Sequence, residues 1–163
     1  MKARIGQDIE EAAEILENGG LVAIPTETVY GLAANALDSD AVLKIFEAKN
    51  RPSFDPLIVH VANLEQLNDL ALSFPKEAKA LAKEFWPGPL TMVLPKKDIV
   101  PDLVTSGLPS VGLRMPAHPL TQKLLSLLHF PLAAPSANPF GYISPTTARH
   151  VAEQLGEKVD YIL

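Results

Sequence analysis

Apolar residues recur at Ile9, Ala12, Ala13 and Leu16, the spacing of one helical face, with Asp8 placed to cap the start and Asn18-Gly19-Gly20 to stop it. Leu21-Val22-Ala23-Ile24 follows as an unbroken apolar run ending at Pro25, the pattern of a short buried strand. Asp38-Ser39-Asp40 offers caps for a second helix, in which Val42, Ile45 and Phe46 share a face and Lys49 and Arg51 lie at the C-terminal end. A strand carrying His60 is predicted over Leu57 to Ala62, and Ala78, Leu81, Ala82 and Phe85 then form a helical stripe that Trp86-Pro87-Gly88-Pro89 terminates. Leu90 to Leu94, Val111 to Met115 and Leu132 to Ala134 read as further strands, and Leu120, Leu124, Leu127 and Leu128 suit a helix between the last two. Pro145 is placed to open a final helix at its first turn, and Val159 to Leu163 predicts one more strand.

This alternation predicts a layered α/β domain, taken as one unit over residues 1–163. A purely parallel sheet does not fit. No helix separates the runs around Pro25 to Leu32, or those between Leu90 and Val111, and neighbours without a crossover can pair antiparallel. The expectation is a twisted mixed sheet with flanking helices, its loops shaped by many of the 15 prolines. With 47% hydrophobic and 20% charged residues the chain can bury a real core. The absence of cysteine removes disulfides, thiolate nucleophiles and cysteine-held zinc, and the four histidines lack ligand spacing, so no built-in metal site is expected. A formal charge of −5 argues against wrapping nucleic acid by bulk electrostatics, so any RNA contact is expected to be local. No segment has the apolar length of a membrane span and the start lacks a signal-peptide block, which predicts a cytoplasmic protein.

Several polar segments sit where ligands bind in open α/β sheets. The loop Pro25-Thr26-Glu27-Thr28-Val29-Tyr30-Gly31 gathers hydroxyls, a carboxylate and a phenol after a buried strand; it fits either a ligand contact or an ordinary polar connection. Lys49-Asn50-Arg51-Pro52 fits either a grip on phosphate oxygens or cations complementing a helix dipole. Arg114 ends an apolar strand and must reach solvent or pair with an anion in a cleft. His60 fits a core histidine with a backbone partner, and Glu27 a general base or a magnesium partner. Ala133-Ala134-Pro135-Ser136-Ala137-Asn138-Pro139 combines small side chains that admit a ligand with two hydrogen-bonding groups, a composition a tight turn also uses. There is no Walker-type loop and no Rossmann glycine fingerprint, so a bound nucleotide would be held by dispersed groups.

Taken in order, Pro25-Thr26-Glu27-Thr28-Val29-Tyr30-Gly31-Leu32, Lys49-Asn50-Arg51-Pro52, Pro56-Leu57-Ile58-Val59-His60, Trp86-Pro87-Gly88-Pro89-Leu90-Thr91, Arg114-Met115-Pro116 and Pro135-Ser136-Ala137-Asn138 resemble the signature of the YrdC-like family. The resemblance implies that family's fold, a twisted mixed sheet with flanking helices and a concave, positively lined ligand cavity. It implies formation of L-threonylcarbamoyl-AMP from L-threonine, bicarbonate and ATP with release of pyrophosphate, for threonylcarbamoyladenosine in tRNA. By the same resemblance Thr28, His60, Arg114 and the backbone at Ala134 would contact L-threonine, while Lys49, Arg51, Ser110, Ser136, Asn138 and Ser144 would face ATP. Magnesium would accompany the ATP, and tRNA with a threonylcarbamoyl-transferase machinery would receive the product.

One departure bears on these expectations. Members of that family continue past the strand corresponding to Tyr161-Ile162-Leu163 into an Asp-Gly-Gly turn, a Glu-Ser-Thr segment and another pocket arginine, so the domain is expected to be incomplete at its C-terminus, ending on a bare strand edge. Two other functions compete: a double-stranded RNA-binding or tRNA-binding module without turnover, and a carbamoyl-adenylate-handling domain of a larger maturation protein.

Overall fold

The computed structural model describes residues 2–163. In chain order the elements are β1 (Arg4–Ile5), α1 (Ile9–Glu17), β2 (Val22–Ile24), β3 (Gly31–Asn35), α2 (Ser39–Lys49), β4 (Ile58–His60), α3 (Leu64–Leu70) and α4 (Lys76–Phe85). They continue with β5 (Met92–Pro95), α5 (Asp102–Thr105), β6 (Ser110–Arg114), α6 (Pro119–Leu127), β7 (Leu132–Ala133), α7 (Ala148–Leu155) and β8 (Tyr161–Ile162).

Local chemistry sets the helix boundaries. Asp8 accepts from Glu11 N (3.0 Å) at the start of α1, and Asp38 accepts from Asp40 N and Ala41 N at the start of α2. Asn50 ends α2 in the left-handed region (φ 51), a conformation asparagine tolerates, and Arg51 N bonds back to Phe46 O. The last helix departs from expectation. Pro145 does not open it; Thr147 caps α7 by accepting from His150 N, while the Pro145 carbonyl accepts from Tyr30 N (2.8 Å).

The eight strands form one mixed sheet in the order β1-β8-β2-β3-β7-β4-β6-β5. Both predicted antiparallel neighbours are present, β2 with β3 and β5 with β6, although a helical turn, α5, interrupts the connection of the second pair. The expected bare edge at the C-terminal strand is corrected. β8 is interior, parallel to β1 on one side and to β2 on the other, and Tyr161, Ile162 and Leu163 are all buried. The sheet edges are β1 and β5. Gly6 passes so close to Tyr161 that a Cβ there would stand 2.2 Å from its hydroxyl, so a larger residue would force the buried ring to shift.

Strand alternation divides the core between the two faces. Ala23, Leu32, Ala34, Val59, Leu113 and Ala133 point to one face, where α2, α3, α4, α5 and α7 supply Ile45, Leu67, Ala82, Val104 and Val151. On the other face α1 and α6 bury Leu16, Leu124 and Leu125 against Val22, Ile24, Ala33 and Leu132. That cover stops short of the β4, β6 and β5 half. There Val93 is 68% exposed, and Ile58, Ser110 and Gly112 are half-buried. A two-sided core therefore supports a sheet with half of one face open.

Candidate functional site

The open half-face carries three of the residues singled out in the sequence, His60, Ser110 and Arg114. Along β6, Val111 and Leu113 enter the core, so Ser110, Gly112 and Arg114 point to the other side. In the paired register His60 lies beside Arg114, and Gly112 lies between Ile58 and Val93, which places all of them on that face. Gly112 keeps its centre low. A Cβ would meet Thr91 Cγ2 at 3.3 Å and Ile58 Cγ1 at 3.7 Å.

At the C-terminal ends of the parallel strands β4 and β6, the usual ligand end of such strands, Arg114 meets the β2–β3 loop. Its Nη2 donates to the Glu27 carboxylate in an ion pair and to Thr28 Oγ1 (3.3 Å), and its Nε donates to the Gly88 carbonyl (3.3 Å). The other Glu27 oxygen accepts from Ala117 N at 2.6 Å. Burial acts to raise the Glu27 pKa, but the Ala117 amide and the Arg114 guanidinium outweigh it and hold the carboxyl below its usual range. A base working near neutral pH needs the opposite shift, so this geometry suits Glu27 to pairing with cations rather than to proton abstraction. His60 is buried. Desolvation, reinforced by the Arg114 charge, pushes its pKa down to about 4, and its Nδ1 has no hydrogen-bond partner. It is the expected core histidine with backbone neighbours at Ile58 and Leu132, but one ring nitrogen is left over. This is a neutral imidazole with an unused nitrogen beside an arginine.

The second cluster lies at the opposite ends of the same strands. α2 delivers Lys49 into the interior, where its ammonium donates to the carbonyls of Ser136 and Asn138 (2.5 Å each). Burial, and then the nearby charge of Arg51, lower the Lys49 pKa to about 8, with Asp55 opposing. Arg51 binds the Asp55 carboxylate (3.0 Å), the Asp55 carbonyl (3.2 Å) and the Pro56 carbonyl (2.9 Å), fixing the loop that leads into β4. Ser106 Oγ ties the same loop to the chain before β6 by donating to Ser53 O (2.8 Å). Because β7 runs antiparallel to β4, its exit brings Ser136 and Asn138 to this end, and Ala134 N donates to Ile58 O (3.0 Å). Asn138 is buried with Oδ1 unpartnered while Nδ2 donates to the carbonyls of Pro139 and Tyr142 (2.9 Å each).

The predicted residues thus gather as two groups at the two ends of β4 and β6: Thr28, His60 and Arg114 at the C-terminal ends, and Lys49, Arg51, Ser110, Ser136 and Asn138 around the N-terminal ends. Four residue steps along β6 separate Ser110 from Arg114, about 13 Å at ~3.3 Å per step. Ala134 lies nearer the second group through its bond to Ile58, and Ser144 is an exposed loop residue next to Pro145, beside Tyr30. Residues not singled out as site residues also shape the site. Asp55 could have been found from its four-residue spacing to Arg51. Ala117 and Gly88 act through backbone atoms, and no side-chain pattern signals them. Among the described residues no three histidine, cysteine, aspartate or glutamate side chains gather as a metal cage.

Comparison with known proteins gives a consistent result. The family Sua5_yciO_yrdC, described as "Telomere recombination", matches residues 14–163. The threonylcarbamoyl-AMP synthase of Pyrococcus abyssi is 57% identical over 155 residues, 95% of this chain and 46% of that protein. The enzyme of the same name from Bacillus subtilis is 53% identical over 152 residues, 93% of this chain and 44% of that protein. The crystal structure of P. abyssi Sua5 complexed with L-threonine has a TM-score of 0.93 and 57% identity, covering 94% of this chain and 45% of that one. The chain spans about half the length of these relatives.

Proposed function

Because the chain belongs to the Sua5/YciO/YrdC family, we propose that it forms L-threonylcarbamoyl-AMP from L-threonine, bicarbonate and ATP, releasing pyrophosphate. The observation that carries this reading is the placement of two polar clusters at opposite ends of the paired strands β4 and β6, a strand length apart. The reaction needs that arrangement: an amino-acid clamp and a nucleotide clamp separated by the reach of the adduct that joins them.

In this reading Arg114 and Thr28 take the amino acid, and the neutral His60 imidazole offers a hydrogen bond without adding charge. The threonine ammonium gives a proton to solvent, and the free amine and bicarbonate then give a carbamate and water; a carbamate oxygen attacks the α-phosphorus of ATP, and pyrophosphate leaves. Lys49 and Arg51, with Ser110, Ser136, Asn138 and Ser144, face the nucleotide. Their fixed donors and charges favour the negative charge that develops on the departing phosphates, because they are held in place before it appears. Magnesium belongs to the substrate here. No described cage would hold it and Asp55 is already paired with Arg51, so it would arrive on the ATP phosphates, and none of these steps is routed through a protein-held ion. The product would pass to a tRNA-modifying transferase in the cytoplasm. Among the described residues no helix is long and apolar enough to cross a membrane.

The test is pyrophosphate release by the purified chain with each substrate omitted in turn. Release that requires threonine, bicarbonate and ATP together supports the reading. A folded chain that binds RNA in a salt-sensitive manner and releases no pyrophosphate overturns it in favour of a binding module.

A further inference from the structure

The ion pair at the mouth of the site has unused capacity on both partners. Arg114 directs Nε to Gly88 and Nη2 to Glu27 and Thr28, and Nη1 has no hydrogen-bond partner among the described residues. Glu27 receives one bond on each oxygen, from Arg114 and from Ala117 N, whereas a carboxylate can accept about four. The side chain of Glu27 remains 24% exposed, so its remaining lone pairs are reachable from the open face. A cation with free N–H groups and an anion with free lone pairs therefore stand side by side, fixed by backbone contacts on each flank.

The charge balance of that arrangement has a consequence for selection. An arginine alone attracts any carboxylate. Paired with a fixed glutamate it presents a dipole, which favours a ligand carrying both signs on adjacent groups. The neighbouring His60 is buried, and no other described charged side chain bonds to the pair.

We infer that Glu27 is a specificity-determining residue that selects an α-amino acid over a simple hydroxy acid: it holds Arg114 in register and accepts the substrate ammonium, leaving Arg114 Nη1 for the substrate carboxylate. This rests on the proposed function. It differs from a base role, since no proton need move to Glu27. It also accounts for the Ala117 contact, which keeps the carboxylate from turning away when the ligand approaches.

The experiment is calorimetric titration of the chain with L-threonine and with 3-hydroxybutyrate, which keeps the carboxylate, hydroxyl and methyl but lacks the amino group. The unaltered chain should prefer threonine by about tenfold or more, the scale of one charge-assisted hydrogen bond. Glu27→Gln should weaken threonine by a similar factor while 3-hydroxybutyrate binds unchanged or tighter, so the preference collapses. Glu27→Asp, which keeps the charge, should retain part of the preference. Equal weakening of both ligands in Glu27→Gln would reduce Glu27 to a structural strut and overturn the inference, as would a preference that survives the substitution. If the unaltered chain binds neither ligand, the proposed function falls and this inference with it; threonine binding with an intact preference in Glu27→Gln sinks only the role of Glu27.

Discussion

Replacing Lys49 by methionine separates two roles that one buried ammonium combines. In the folded protein its pKa is lowered from 10.5 to about 8, first by burial and then by Arg51, while the bonds to the Ser136 and Asn138 carbonyls favour the charged form. Between those two values the unfolded chain holds a proton that the folded chain has released, so stability rises with pH across the interval and the contribution is absent below it. At ~1.36 kcal/mol per pH unit the full effect is about 3 kcal/mol, and screening by water that reaches the amine reduces it to roughly 2. Lys49→Met has no proton to release and should lack this rise. It should also be less stable at pH 7, because two carbonyls lose their donor at a cost of about 1–3 kcal/mol each, offset in part by removal of a desolvated charge. Guanidinium unfolding of both proteins from pH 7 to 10.5 measures this directly. The gap in unfolding free energy should widen above pH 8; a constant gap across the range would refute the argument that this ammonium is held against its own desolvation.

Arg51→Ala should weaken ATP binding about ten- to a hundredfold, the loss of one charge-assisted contact, and calorimetry that finds unchanged affinity in the folded variant removes Arg51 from the nucleotide site. Arg51 also moors the 51–56 loop, so the same variant should show faster proteolysis around Phe54, which is 78% exposed. L-threonine should be preferred strongly over L-valine and by roughly 1–3 kcal/mol over L-serine, since a missing hydroxyl leaves pocket groups unpaired whereas a missing methyl loses only contact area; equal titration curves for threonine and valine would contradict the amino-acid assignment. Gly112→Val should fold, because its Cβ makes contacts of 3.3 and 3.7 Å to the ends of Thr91 and Ile58, yet it raises a wall between Ser110 and Arg114. Its thermal midpoint should stay near that of the parent while pyrophosphate release is lost, and retained turnover would show that the ligand does not cross the centre of β6.

Local signals were legible wherever the chain carries its own instructions. Asp8 and Asp38 cap the helices they were expected to cap, and the antiparallel pairing of β2 with β3 follows from a connection too short for a crossover. Short elements escaped notice: β1 has two exposed residues, and α3 has seven residues with Leu67 and Leu70 buried, too little for a periodic pattern to stand out. Pro145 was misjudged because proline is also a good loop residue, and Thr147, two positions on, supplies the cap. The position of β8 was hidden because it depends on pairing with residues far away in sequence. The site residues could be named from their segments, but their division between the two ends of β4 and β6 could not. That division requires the register that sets His60 beside Arg114, and a loop that brings Glu27 to a partner 87 positions away.

The interior position of β8 has a consequence for synthesis. Arg4 and Ile5 are synthesised more than 150 residues before Tyr161–Ile162, the strand they pair with among the described residues, and Asp8 N reaches the Tyr161 hydroxyl across 153 positions. While the chain grows, β2, β3, β4, β6 and β7 can assemble with their helices, but β1 has no partner and the outer side of β2 stays open. An open strand of Val22, Ala23 and Ile24 is a template for stray pairing, so this corner is exposed to aggregation in a nascent chain. Arrival of residues 161 and 162 closes both gaps at once: it joins the N-terminal strand to the sheet and covers the edge of β2. Closure over so long a sequence separation is a slow step in folding, and a chaperone that shields this corner would act on a window opening near residue 22 and ending near residue 162.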